Sequence, residues 1–190
     1  MLETNKRDAI LKAALALFAK RGYDGTTVPM IANTAQVGAG TIYRYFENKE
    51  TLVNALFQQC VQEFSETLKF EEIDPSSDMR DQFHYIFKRL IKFADTNIHA
   101  LLFIESHNSA YYIDVTSRKA FQGLMETLRQ MMQNGKDRGV IKDLQTDALI
   151  ALVYGAFVML FKLIQAGLLD ESEAMLKEVE ESCWNAIKIL

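Results

Sequence analysis

The chain has 190 residues, 49% of them hydrophobic, and a formal net charge of −4. That length buries a full core in one or two domains, and the negative balance argues against a binder held to nucleic acid by charge alone. Only two prolines, Pro29 and Pro75, set among abundant Leu, Ala, Met and Phe, favour an all-helical (all-α) protein.

The charge is unevenly spread. Residues 1–50 hold seven Lys/Arg against five Asp/Glu, whereas the remainder holds 14 against 20. The first part is mildly basic, so non-specific binding to a polyanion would be weak and salt-sensitive.

A first helix is expected from about Asn5 to Arg21, with Thr4 as its cap and Gly22 as its stop. Its Ala13–Ala19 run after Lys6-Arg7 imitates a secretion signal, but Lys12 interrupts it and the residues from Thr26 onward continue the fold. A helix-turn-helix then occupies about Val28 to Phe46. Thr27 can cap the first of its helices, and Pro29 fits a first turn, where a missing N–H costs little. Ile31, Ala32 and Ala35 recur at helical spacing and should face inward. Ala35-Gln36-Val37 reads as the turn, with Val37 as an apolar plug.

Gly38, Ala39 and Gly40 open the second helix with almost no side chain. Such residues let a backbone approach DNA closely, and a helix N-terminus attracts phosphate. Ile42 and Phe46, four apart, should be buried. Thr41, Arg44 and Tyr45 are left on or beside the outer face, with Tyr43 flanking. Hydroxyls suit phosphate oxygens, and Arg44 can donate two hydrogen bonds to a guanine edge. Asn48 is a good cap for the next helix, where Lys49 in the first turn points a cation toward the same phosphates.

A long helix from Lys49 to about Lys69 carries Leu52, Leu56, Val61, Phe64 and Leu68. The stretch Glu71 to Ser77 breaks the pattern at Pro75, and Ser77 can cap another helix. In that helix Met79, Phe83, Ile86, Leu90 and Ala94 recur at helical spacing, widened by Phe87 and Ile91. A short helix from about Ile98 to Ser106 comes next, then a loop from Asn108 to Thr116 with Tyr111 and Tyr112. Phe121, Leu124, Met125, Leu128, Met131 and Met132 mark another helix that ends near Gly139. The last two helices are about Thr146 to Ala166 and Ser172 to Ile189. The first of these is apolar nearly all round and should be buried on most sides, with Ala151, Gly155 and Ala156 small enough for close helix approach. Its uncharged run from Ala148 to Phe161 ends at Lys162, short of a bilayer span, so no membrane partner is expected.

The segment Gly40-Thr41-Ile42-Tyr43-Arg44-Tyr45-Phe46, with Ile10, Ala13, Ala14, Phe18, Gly22-Tyr23, Thr26-Thr27, Ile31-Ala32 and Lys49, resembles the tetracycline-repressor-like (TetR) family of bacterial transcription regulators. The resemblance covers the first quarter to third of the chain. It implies a DNA-binding domain over residues 1–48 and a helical regulatory domain over 49–190. It implies that Thr27, Thr41, Tyr43, Tyr45 and Lys49 contact phosphates of double-stranded DNA, while Ala39 and Arg44 lie nearest the bases. It also implies a homodimer built on the last two helices, a palindromic operator, and a small apolar or amphipathic effector bound among the middle helices. Three departures stand out. Gln36 replaces a common glycine in the turn, where a left-handed residue would carry modest strain. Gly38 replaces a frequent serine, removing a phosphate or cap contact. Pro29-Met30 replaces what is often a polar pair.

Phe83, Phe87, Phe103, His107, Tyr111, Phe121, Met125 and Tyr154 could line the effector cavity, with Tyr112 near its mouth, although the same residues also suit plain core. His107 with Glu105 could orient a polar ligand group. His99 and His107 lie eight apart, roughly 12 Å along a helix, too far for one ion, so no metal and no cofactor is expected. Cys60 and Cys183 sit in apolar patterns and fit reduced thiols of a cytoplasmic protein. No phosphate loop, catalytic triad or paired-carboxylate motif supports an enzyme. A regulator governed by a protein partner rather than a small molecule remains the alternative.

Overall fold

A computed structural model of the chain describes residues 2–74 and 76–189, with side chains from Lys6 onward. Regular structure among the described residues is helical, apart from one isolated antiparallel bridge between Ile141 and Lys188. The helices are α1 (Leu2–Arg21), α2 (Val28–Thr34), α3 (Ala39–Tyr45), α4 (Lys49–Leu68), α5 (Met79–His107), α6 (Val115–Asp137), α7 (Thr146–Ile150), α8 (Ala156–Gln165) and α9 (Glu173–Ile187). A π turn, Ala151–Gly155, joins α7 to α8 without a break. Because α1 starts at Leu2, Thr4 lies inside the helix rather than at its cap. The expected breaker Pro75 lies outside the described residues.

The chain forms two compact units, and three helices have residues in both. The first unit takes residues up to Glu63 together with His99–Phe121. Its core is built from Ile10, Leu11, Ala14 and Phe18 of α1, Ile31 and Ala32 of α2, Ile42 of α3, Leu52, Leu56 and Phe57 of α4, and Phe103 of α5. Aromatic rings tie these together: Phe18 and Phe57 lie 5.9 and 6.3 Å from Phe103.

Caps define the short helices. Thr27 Oγ1 accepts from the Met30 N–H at 3.4 Å, as its position before Pro29 suggests. Gly38 caps α3 with no side-chain bond, the cost of having glycine where a hydroxyl would serve. Asn48 and Thr51 form a reciprocal box: Asn48 Oδ1 accepts from the Thr51 N–H at 2.8 Å, and Thr51 Oγ1 accepts from the Asn48 N–H at 3.1 Å. Val37, expected as a plug, is only half-buried. Gln36 does take the left-handed conformation that its place in the turn demands, with φ 56°.

The second unit takes Phe64–Ile98 and Gln122 to the end of the chain. Phe64 stacks on Phe93 at 4.4 Å, Phe87 meets the edge of Phe157 at 6.2 Å, and Phe83 tilts against Trp184 at 5.2 Å. α5 is interrupted at Asn97 (φ −138°, ψ 39°), where the sequence pattern also separates two helical stretches. Its cap is Asp78, whose Oδ1 accepts from the Arg80 N–H at 2.7 Å; Ser77 turns back to donate to the Asp74 carbonyl. Arg80 pairs with the buried Glu180 carboxylate and, at 2.8 Å, with Glu181, pinning α9 to the start of α5.

The apolar helix near the C-terminus departs from expectation. The stretch Thr146–Gln165 is long and apolar enough to cross a membrane, by length and composition. Only one of its faces is buried, through Leu149, Val153, Phe157, Leu160 and Phe161. The opposite face exposes Ala148, Ala151, Leu152, Gly155, Ala156 and Met159. Its composition marks it as apolar but does not say that this chain alone covers both sides.

A non-glycine residue in the left-handed region costs about 1 kcal/mol, partly offset by the entropy glycine loses on folding. Gln36 is exposed and its side chain caps nothing in α2 or α3. Gln36→Gly should therefore raise stability by about 0.5–1 kcal/mol. Urea unfolding checks this, and a midpoint that falls would show that the turn carries no such strain.

Candidate nucleic-acid interface

α3 has seven residues, and their burial divides it cleanly. Ile42 is buried, as is Phe46 just past the helix end. α3 packs on α2 and α1. On the other side Ala39, Gly40, Tyr43 and Arg44 are exposed, and Thr41 and Tyr45 are half-buried beside them. Tyr43 is 55% exposed, far above what a buried ring would show. Thr27 is exposed at the start of α2.

The glycines here are informative. A Cβ at Gly40 would meet nothing within 4 Å, and at Gly38 only Thr41 Oγ1 at 3.9 Å. Neither has a positive φ. Neither the packing nor the backbone of this chain requires glycine at these positions.

Lys49 is placed differently from the outward cation that the sequence suggests. Its ammonium donates to the carbonyls of Tyr23 at 3.0 Å and Thr26 at 3.2 Å, and it sits 3.8 Å above the Tyr23 ring. The Tyr23 hydroxyl is pushed up to about 12, chiefly by burial and then by the Glu50 charge.

The eight expected cavity residues are divided between the two units. Phe83, Phe87 and Tyr154 line one apolar cavity in the second unit with Leu90, Leu128, Met131, Met132 and Val153. Phe103, His107, Tyr111 and Phe121 belong to the first unit, and Met125 lies in the second but not on that cavity. Phe103 is core, its ring tilted against His107 at 4.3 Å. His107 is buried, and its Nδ1 lies 2.9 Å from the Phe103 carbonyl oxygen; burial holds its pKa below the ordinary histidine value. Tyr111 stands exposed in the α5–α6 loop. Aromatic content marks core and cavity alike, and only the packing separates them.

The cavity has about 20 Å³ of free volume, room for roughly one water-sized group. A second cavity of about 140 Å³ is lined by Ala94, Asp95, Ile98, Phe161, Ile164, Gln165 and Glu171. Burial, with the Asp95 charge beside it, raises the Glu171 carboxyl above its usual range. The sequence carried no signal for it, because its lining comes from three separated segments. Cys60 and Cys183 are both buried and free, and burial pushes the Cys60 thiol up to about 12.

Residues 10–56 match the family described as "Bacterial regulatory proteins, tetR family", and residues 57–189 match "Tetracyclin repressor-like, C-terminal domain". The chain is 29% identical over 162 residues to the "Probable acrEF/envCD operon repressor" of Escherichia coli (strain K12), covering 80% of this chain and 72% of that protein. Among solved structures, a TetR family transcription regulator from Marinobacter aquaeolei VT8 superposes with a TM-score of 0.82 at 21% identity, covering 98% of this chain and 97% of that one. The transcriptional regulator FadR from Bacillus subtilis, solved in complex with stearoyl-CoA, gives 0.72 at 19% identity, covering 93% and 95%. At these identities the two structures establish the fold alone. The two family matches cover most of the chain, which belongs to the TetR family of bacterial regulatory proteins and is a DNA-binding transcriptional regulator.

Proposed function

We propose that this TetR-family chain is a cytoplasmic homodimeric repressor that reads a palindromic operator and is released from it by a small apolar or amphipathic effector. Residues 1–48 read the DNA and residues 49–190 regulate it. One observation carries the reading: the outward side of α3 joins Ala39, Gly40, Tyr43 and Arg44 on a surface whose small residues the fold itself does not need. Close backbone approach to DNA needs them. Ala39 and Arg44 face the bases, and Thr27, Thr41, Tyr43 and Tyr45 hold phosphates, with Gly40 admitting the groove wall. Two such helices, about 34–36 Å apart, enter successive major grooves.

The dimer rests on the exposed face of α7, the π turn and α8. A contiguous apolar surface of this kind marks an interaction site. Its Ala151, Gly155 and Ala156 allow a second copy to approach closely, and a Cβ at Gly155 would meet nothing within 4 Å of its own chain. The effector site is the cavity around Phe83, Phe87 and Tyr154. Its lining carries no charged side chain, which suits an apolar group, and Met131 and Met132 can repack to enlarge it. Stearoyl-CoA, bound by the Bacillus subtilis neighbour, supplies a long-chain probe. The small free volume also fits a second reading, control by a protein partner.

Arg44→Ala should relax base preference at one position per half-site, a discrimination of about 1–3 kcal/mol. Tyr43→Phe should weaken a selected duplex and a scrambled one by a similar factor. Anisotropy titrations on single-base variants decide, and unchanged preference in Arg44→Ala would end its base-reading role. Gly155→Glu should sediment as a folded monomer where the wild type sediments as a dimer; a dimer of undiminished mass would reject this face. Stearoyl-CoA or stearate should raise the unfolding temperature by mass action. No shift with either, operator binding being intact, would favour the protein partner.

A further inference from the structure

The α5–α6 loop is fastened to the DNA-reading helices through the α1–α2 turn and α4. Tyr112 of the loop stacks on Tyr23 at 3.8 Å, with the rings 18° apart. Tyr23 lies in the α1–α2 turn, and its carbonyl is one of the two that hold the Lys49 ammonium. The other belongs to Thr26, a fully buried residue whose hydroxyl donates to the Gly22 carbonyl at 2.8 Å. Thr27, the cap of α2, is its neighbour in the chain.

A second fastening comes from Asn54, buried on α4. Its Nδ2 donates to the Glu50 carbonyl at 2.9 Å and to the Tyr112 carbonyl at 2.8 Å, and its Oδ1 accepts from the Asp114 N–H at 2.8 Å. The amide thus spans loop and helix with every bond directed to backbone. Gln58 adds a bond to Ser117 at 3.0 Å. A turn gripped by Lys49 and stacked on Tyr112 leaves α2, and α3 behind it, little freedom to shift against α4.

We propose that the α5–α6 loop is a positioning element for DNA recognition: Tyr112 and Asn54 fix the turn that carries α2 and α3, and Lys49 works within this joint instead of contacting a phosphate. Reaching a phosphate would require Lys49 to abandon two carbonyls and a ring face; the Tyr23 carbonyl would keep the Thr26 N–H at 3.2 Å, but the Thr26 carbonyl would lose its ammonium donor and the Tyr23 ring its cation. Specific binding demands that two reading helices meet their grooves in register, whereas non-specific binding follows charge and tolerates misplacement. Loosening the joint therefore harms the first and spares the second. The proposal rests on the DNA-reading function of α3.

The test is anisotropy titration of the full chain against a duplex that the wild type selects and against a scrambled duplex, across a series of KCl concentrations. Tyr112→Phe keeps the stack and should bind both as the wild type does. Tyr112→Leu should lose about tenfold on the selected duplex and less than about twofold on the scrambled one. Lys49→Met should behave likewise, with the slope of log affinity against log salt unchanged; loss of a phosphate contact would reduce that slope by about 0.9. Three results would overturn the proposal: full operator affinity in Tyr112→Leu, equal losses on both duplexes, or a reduced slope in Lys49→Met. Failure of the wild type to prefer its selected duplex would instead bring down the DNA-reading function, and the proposal with it.

Discussion

A seven-residue helix cannot hold itself in water, where isolated helices shorter than about 12–15 residues are marginal. α3 is such a helix, with Ile42 as its buried residue and Phe46 just beyond its end. Every property that makes it useful for reading DNA must be supplied by what it packs against. α1 and α2 provide the apolar floor, the Asn48–Thr51 box fixes the exit into α4, and the Lys49 clamp fixes the entry turn. The first unit amounts to a mount for one side of one short helix, which explains why so much of its core is spent on residues far from the outward face.

The second unit answers a different constraint. Its apolar C-terminal helices are tied down by the Arg80–Glu180 pair and by Lys142, whose N–H donates to the Ile187 carbonyl at 2.8 Å. Yet one face of the α7–α8 stretch is left exposed by the described residues. The same segment turns Val153 and Tyr154 of its π turn toward the cavity and leaves Leu152 and Gly155 outside. π turns are rare and concentrate at functional sites. α5 and α6 line that cavity with one part of their length, and the loop between them carries Tyr112.

Much of this was legible in the residues. Helix limits followed the apolar period, Thr27 and Asn48 announced their caps, and the strain at Gln36 could be anticipated because a turn of that form needs a left-handed residue. The Asn97 interruption lies where the apolar period lapses. Other features had no local signal. Lys49 reads as a surface cation, since its partners are backbone carbonyls 23 and 26 residues earlier, which any sequence possesses. Asn54 shows only as a polar residue amid apolar ones. Phe103 and His107 look as suitable for a cavity as Phe83 and Phe87, because hydrophobicity is the same whether a ring meets another ring or an empty space. The exposed face of α8 has no signal in composition for a related reason: composition tells how apolar a helix is, not which of its faces its own chain buries.

The most direct measurement is selection of bound sequences from random duplex DNA by the purified protein at stated salt. The account predicts enrichment of a palindrome whose half-sites lie about one helical turn, or a multiple of it, apart, because two copies of α3 related by a twofold axis must each meet a major groove. Failure to enrich any sequence, or enrichment of a single unrepeated motif, by a protein shown to be folded would contradict it.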